Sequence, residues 1–141
     1  MKKLVWLTVH GEQKYEGMSA DSSELRVRGT MEATKDGYLL RYEEADETGR
    51  VTTATRLALA PDCVILTRTG EVTSEMVFEA GEEHSSFYAA PYGTLPISVK
   101  AESVKWKIEE TGGMLALRYA INIGGQRGEC ALRVRVRTEE E

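Results

Sequence analysis

The chain has 141 residues, 41% hydrophobic and 29% charged, with a formal net charge of -5. That length predicts one domain spanning residues 1–141, able to bury roughly two-thirds of its unfolded surface without a metal or a disulfide. No apolar run approaches the length of a bilayer-crossing helix, and the net acidity argues against nucleic acid as a main partner, although a local basic stripe would override that average.

Met1 to Val9 carries two lysines ahead of LVWLTV, superficially like a secretory signal. The apolar run is short, however, and meets His10, Gly11 and Glu12 without a small-residue cleavage site, so it reads as the first strand. Within it Val5, Leu7 and Val9 alternate with Trp6, Thr8 and His10. Gly11 to Ser23 has no clean period and several turn formers, which predicts a loop with room for a short helical turn. Alternation returns at Leu25, Val27, Gly29, Met31 and Ala33, and Lys35-Asp36-Gly37 predicts a tight hairpin in which Asp-Gly accepts positive φ.

Tyr38 to Gly70 reads as three consecutive antiparallel strands. Tyr38, Leu40, Tyr42 and Glu44 share one face of the first; Val51, Thr53, Thr55 and Leu57 share one face of the second; Val64, Leu66 and Arg68 share one face of the third. Val72 to Glu79 follows with Met76 and Phe78 in phase. Gly81 to Pro96 holds His84, Phe87, Tyr88 and Tyr92 and is broken by Pro91, Gly93 and Pro96, predicting a short strand and then an irregular rim segment. Ile97 to Glu110 fits either a helical face or a strand that changes phase near Ser103. The charges alternating with Val104, Trp106 and Ile108 favour a long strand with a bulge. Gly112-Gly113 and Gly124-Gly125 mark turns around a strand containing Leu115, Leu117, Tyr119, Ile121 and Ile123. The last strand places Cys130, Leu132, Val134 and Val136 inside and Arg133, Arg135 and Arg137 outside, ahead of a solvated tail at Glu139 to Glu141.

About nine or ten strands with short turns and almost no helix indicate an all-β, up-and-down antiparallel sheet. Closing on itself removes the edges of so long a meander, so a single barrel is expected, with a two-sheet sandwich as the alternative. Cys63 and Cys130 stand outside any CxxC spacing, which predicts two free, part-buried thiols in a reducing cytoplasm.

The ordered set Tyr42-Glu43-Glu44, Thr55-Arg56-Leu57, Arg68-Thr69-Gly70, Met76-Val77-Phe78 with Gly81, Pro91-Tyr92-Gly93 and Tyr119 resembles the YwiB-like family of small bacterial proteins of unknown function, over nearly the whole chain. The resemblance implies a calycin-like barrel, the architecture of lipocalins and fatty-acid-binding proteins. By analogy of fold alone it implies a barrel that holds a small ligand.

Among candidate site residues, Tyr42, Glu44 and Arg68 fall on inward phases. A buried charge is costly unless paired, so these side chains either enter a wet cavity, as a polar anchor for an amphipathic ligand, or form a buried ion pair with a tyrosine hydrogen bond that holds strand register. Thr55, Phe78, Tyr92 and Tyr119 complete the candidate ligand-binding set. Glu43 and Glu44 face opposite sides of a strand and cannot act as a paired acid and base. His10 and His84 read as surface residues, and no phosphate loop, zinc spacing or nucleophile elbow is present. Arg133, Arg135 and Arg137 read as a solvated face. The expectation is a cytoplasmic, non-enzymatic barrel that binds a small apolar or amphipathic molecule, with no cofactor, metal, nucleic acid or membrane involved. The alternative is an interaction or structural module whose barrel is filled by its own side chains.

Overall fold

The computed structural model describes residues 2–139. Ten strands follow one another: β1 (Lys2–Tyr15), β2 (Asp21–Ala33), β3 (Tyr38–Ala45), β4 (Val51–Ala60), β5 (Cys63–Gly70), β6 (Thr73–Glu79), β7 (Glu83–Ala90), β8 (Gly93–Glu109), β9 (Gly112–Ile123) and β10 (Gln126–Thr138). Each pairs antiparallel with its neighbour in sequence, and β1 pairs with β10, so the sheet closes into an up-and-down barrel with no helix among the described residues. Closure gives the two end strands the partners that an open meander would leave unpaired.

The period-2 pattern is realised as an inside and an outside. Val5, Leu7, Leu40, Leu57, Val64, Leu66, Leu115, Leu117 and Val134 are buried almost completely, each worth roughly 1.5–3 kcal/mol relative to exposure. Most of these sit towards the end of the barrel that carries the β2–β3, β4–β5 and β8–β9 turns. Trp106 caps that end. Its indole Nε1 donates to the Ala60 carbonyl at 2.7 Å, and its ring meets Tyr38 edge-on with centroids 6.2 Å apart. Gly37 lets the β2–β3 turn pass beneath, since a Cβ there would lie 2.1 Å from the Leu59 carbonyl oxygen.

Several segments depart from the sequence reading. Gly11 to Ser23 is not a loop: β1 runs on to Tyr15 and β2 starts at Asp21. Gly11 and Gln13 pair with Ser23 and Asp21 on one side and with Leu132 and Cys130 on the other, so two ladders of backbone hydrogen bonds override weak local propensity. The expected irregular rim at Gly93 to Pro96 is the start of β8, paired with β7 up to Phe87↔Pro96 around a Pro91-Tyr92 turn. The hairpin at Lys35-Asp36-Gly37 forms without positive φ. Instead Thr34 N–H donates to the Gly37 carbonyl at 2.9 Å, and Gly37 N–H donates to Thr34 Oγ1 at 3.0 Å. Val51 is exposed, because the ladder shifts between Glu44↔Thr53 and Ala45↔Val51 and leaves it out of phase with Thr53. Glu139 is not free in solvent but pairs with Arg28 at 2.7 Å; residues 140–141 of the expected tail lie outside the described residues.

The bulged strand at Ile97 to Glu110 is present as part of β8. The register slips between Ala101↔Tyr119 and Ser103↔Arg118, which keeps both Ala101 and Val104 facing inward. β6 and β7 pair only at Thr73↔Ala89 and Ser74↔Tyr88. Below that point β6 turns onto β8, where Gly81 N–H donates to the Ala101 carbonyl at 2.9 Å.

Candidate functional site

The end of the barrel opposite Trp106 is hollow. A cavity of about 530 Å³ lies between the second half of β1, the first halves of β2 and β10, and the ends of β3, β5 and β9 that meet them there. Its two walls differ in chemistry. On one side stand Val9, Leu25, Ile121, Ile123 and Leu132 from β1, β2, β9 and β10, with the polar Glu12, Gln13, Ser23 and Glu24 of β1 and β2 also lining the cavity. On the other, cross-strand register lines up Tyr42 (β3), Thr55 (β4), Arg68 (β5), Ser74 (β6) and Tyr88 (β7) in one continuous row.

Such a row arises because β3 to β7 bring inward-phase residues into register, so side chains distant in sequence become direct neighbours. Tyr42 is buried, and burial pushes its phenol above the usual tyrosine value, with the Arg68 charge pulling the other way. Arg68 is half-buried, and no carboxylate among the described residues lies within 4.0 Å of its guanidinium. Thr55 and Ser74, its cross-strand neighbours, are both buried, and their hydroxyl oxygens have no hydrogen-bond partner. Glu44 is one inward position nearer the mouth than Tyr42 and is exposed, without an ion-pair partner among the described residues. The direct Glu44–Arg68 pair that the inward phases allowed is therefore absent, and both groups face the cavity.

The remaining candidates separate by depth. Tyr119 lines the cavity from β9, beside its cross-strand partner Cys130. Burial raises both the phenol of Tyr119, strongly, and the thiol of Cys130. Phe78 is wholly buried and does not line the void; it forms part of the floor, with its ring 4.7 Å from that of Tyr119 and tilted by 60°. Thr55 likewise sits in the wall rather than on its surface. Tyr92, 76% exposed, stands at the mouth in the β7–β8 turn.

Other lining residues escaped the sequence reading. Gln13 and Tyr15 belong to the extension of β1 that looked like a loop, where the period continuing through Gly11-Gln13-Tyr15 was the available signal, while Val9 and Leu25 read as ordinary inward strand residues. Ser74, which like Thr55 sits in the wall rather than on its surface, was detectable only as a small polar residue in phase with Met76 and Phe78.

The other polar clusters are centred outside the barrel lumen, although Glu12 and Glu24 of the first also line the cavity. His10 approaches Glu12 at 3.2 Å and Glu24 at 3.8 Å, and His84 approaches Glu79 at 3.1 Å, so both histidines have carboxylate neighbours that the sequence did not reveal. Cys63 is the cross-strand partner of Glu79. The order Cys63, Glu79, His84 places the acid in the middle, and burial plus the negative charge of Glu79 pushes the thiol up, the reverse of what activates a nucleophile. Arg133, Arg135 and Arg137 are exposed on the outer face of β10, while Arg26 and Arg28 lie over the Trp6 ring at 4.7 and 5.0 Å. A wider hollow of about 850 Å³ crosses the outer surface of β7 to β10 and the end of β1 among side chains of both signs, including Lys14, Lys100, Glu102 and Glu129.

No curated protein matches the chain. The crystal structure of ywiB protein from Bacillus subtilis superposes on it with a TM-score of 0.86 and 17% sequence identity, covering 99% of this chain and 94% of that one. At that identity the likeness speaks for the barrel alone. Residues 7–134 match the family described as a domain of unknown function, DUF1934, and the chain belongs to that family.

Proposed function

We propose that this barrel binds a small amphipathic molecule in its interior. The supporting observation is the cavity of about 530 Å³, within the range of small-molecule sites, whose apolar wall of β1, β2, β9 and β10 faces a polar row centred on Arg68. A barrel filled by its own side chains would leave no such void; only the Trp106 end is filled in that way.

Binding rather than catalysis is favoured by the state of the groups inside. Tyr42, Tyr119 and Cys130 are all shifted towards their neutral, less reactive forms, and both histidines lie outside the lumen. The two free cysteines favour a reducing compartment, in keeping with a cytoplasmic protein. The test is titration of the purified protein with Nile red, a neutral apolar dye, alongside native mass spectrometry of protein isolated from its own host. Saturable one-to-one dye binding, displaced by amphiphiles, is expected. Linear, unsaturable dye uptake with no displacement by any amphiphile would overturn the proposal and favour the side-chain-filled module.

A further inference from the structure

The net charge of -5 averages over an uneven surface. Strand register collects cations on the outer face of β8, β9, β10, β1 and β2. One row across that face runs Lys107, Met114, Arg135, Thr8, Arg26, and the next runs Lys105, Ala116, Arg133, His10, Glu24. On the other side of the first row Arg137, Trp6 and Arg28 stand abreast. All seven lysines and arginines of these rows are exposed. Among the described residues, Arg28 alone of them has a carboxylate within 4.0 Å, that of Glu139. The acids on the rows are Glu24, 3.8 Å from His10, and Glu109 at the β8 margin. A face kept polar for solvation alone would mix both signs, and the chain has 23 acidic residues with which to do so. Like charges two residues apart on β10, about 6.7 Å, repel one another instead.

We propose that this face binds single-stranded RNA through its phosphodiester backbone. Five of the seven cations are arginines, whose planar forks engage phosphate oxygens bidentately. Arg26 and Arg28 are already held over the Trp6 ring, at 4.7 and 5.0 Å, so they lose less freedom on binding. Shape selects among polyanions. β8 and β2 lie four strand steps apart in a closed ring of ten, so the face curves through about two-fifths of the circumference. A planar membrane or a stiff duplex meets such a convex surface along a few strands only. A flexible single strand follows it from Lys107 to Arg26, about 19 Å by strand spacing. Unlike an acidic peptide, it also carries bases that stack on exposed guanidinium planes. Thr8, between Arg135 and Arg26, adds a hydroxyl that donates and accepts, as a ribose 2′-hydroxyl does. The face lies outside the barrel, so this site is separate from the interior one.

The experiment is fluorescence anisotropy of a fluorescein-labelled oligouridylate about 16 nucleotides long, titrated with the full chain over a range of salt. Saturable binding is expected at about 50 mM salt, with log affinity falling on log salt at a slope no steeper than about -5, since each phosphate held on a single strand contributes about -0.7. Arg133→Gln with Arg135→Gln should weaken binding about tenfold and reduce that slope by about 1.4. Lys100→Gln with Arg127→Gln removes the same charge from the mixed-sign hollow across β7 to β10 and should leave affinity within about twofold. Unlabelled oligouridylate should compete better, at equal concentration of charges, than oligothymidylate, an RNA duplex, polyglutamate or phosphatidylglycerol vesicles. Absence of saturable binding at the lowest salt, an equal loss in the two double variants, or stronger competition by any of the other four polyanions would overturn the proposal. Each of those results leaves interior binding of Nile red as it stands.

Discussion

The Glu44 and Arg68 side chains permit a quantitative test of the barrel's open end. A buried ion pair broken by Arg68→Met would strand a carboxylate and cost about 3–5 kcal/mol. Here the two charges lie beyond 4.0 Å of each other, and Glu44 is exposed. At 4 Å the attraction between unit charges is about 1 kcal/mol in water and about 4 kcal/mol at an effective dielectric near 20. An exposed carboxylate belongs to the watery limit, and ordering two long side chains offsets much of what remains. Arg68→Met and Glu44→Gln should each change stability by less than about 1 kcal/mol, with a coupling below about 0.5 kcal/mol in the double variant. For 141 residues, at about 2.1 cal/mol/K of unfolding entropy each, 1 kcal/mol moves the melting midpoint by about 3 °C. Urea titration and thermal melts followed by circular dichroism measure all four proteins. A loss of 3 kcal/mol or more in Arg68→Met, partly restored by adding Glu44→Gln, would refute this reasoning and show that the pair closes in solution.

Phe78→Ala removes a wholly buried ring beneath the cavity and should cost about 3–5 kcal/mol, a fall of roughly 10–15 °C, while admitting bulkier ligands; an unchanged melting point would mean the floor is not packed as described. Gly29→Ala would place a Cβ 2.1 Å from the Arg41 carbonyl oxygen and 2.8 Å from Leu7 Cδ1, so the β2–β3 pairing should be strained by more than about 2 kcal/mol, readable by urea denaturation. The raised phenol of Tyr119 stays protonated when its unfolded counterpart, with its ordinary value of 10.0, has ionised. Its contribution is thus full below pH 10 and is lost as pH climbs from there, so Tyr119→Phe should flatten the alkaline fall in stability; an identical fall in both proteins would count against the burial of that phenol. Cys130, its thiol raised by burial, should react with iodoacetamide at pH 8 more slowly than a free cysteine, and more slowly still with the cavity occupied, as intact-mass kinetics would report.

Alternation of inward and outward side chains is a local property, and it carried most of the architecture. Leu115, Leu117, Val134 and Val136 are buried where the period placed them, and the phase slip near Ser103 marked a real bulge in β8. The Gly124-Gly125 turn has positive φ at both residues, at 58° and 97°, which only glycine adopts freely. Closure followed from the strand count alone, because an open meander of that length leaves two unpaired edges. What the alternation left open was pairing. Whether Gly11 to Tyr15 is strand or loop depends on β2 and β10 arriving on either side, and the exposure of Val51 depends on a register shift against β3.

The site follows the same division. Tyr42, Glu44, Arg68 and Tyr119 were recognisable as polar or aromatic residues on inward phases, because each interrupts an apolar face within its own strand. Ser74 was not, and neither the partnerless hydroxyls flanking Arg68 nor the gap between Arg68 and Glu44 has a signature within any one strand. Those depend on how ten strands are staggered around the barrel, which decides which inward residues stand side by side. The amino-acid sequence by itself determined which residues face inward, since strand periodicity is written residue by residue. Only the closed tertiary structure decided which of them meet, because stagger and closure are set by pairing across the whole sheet.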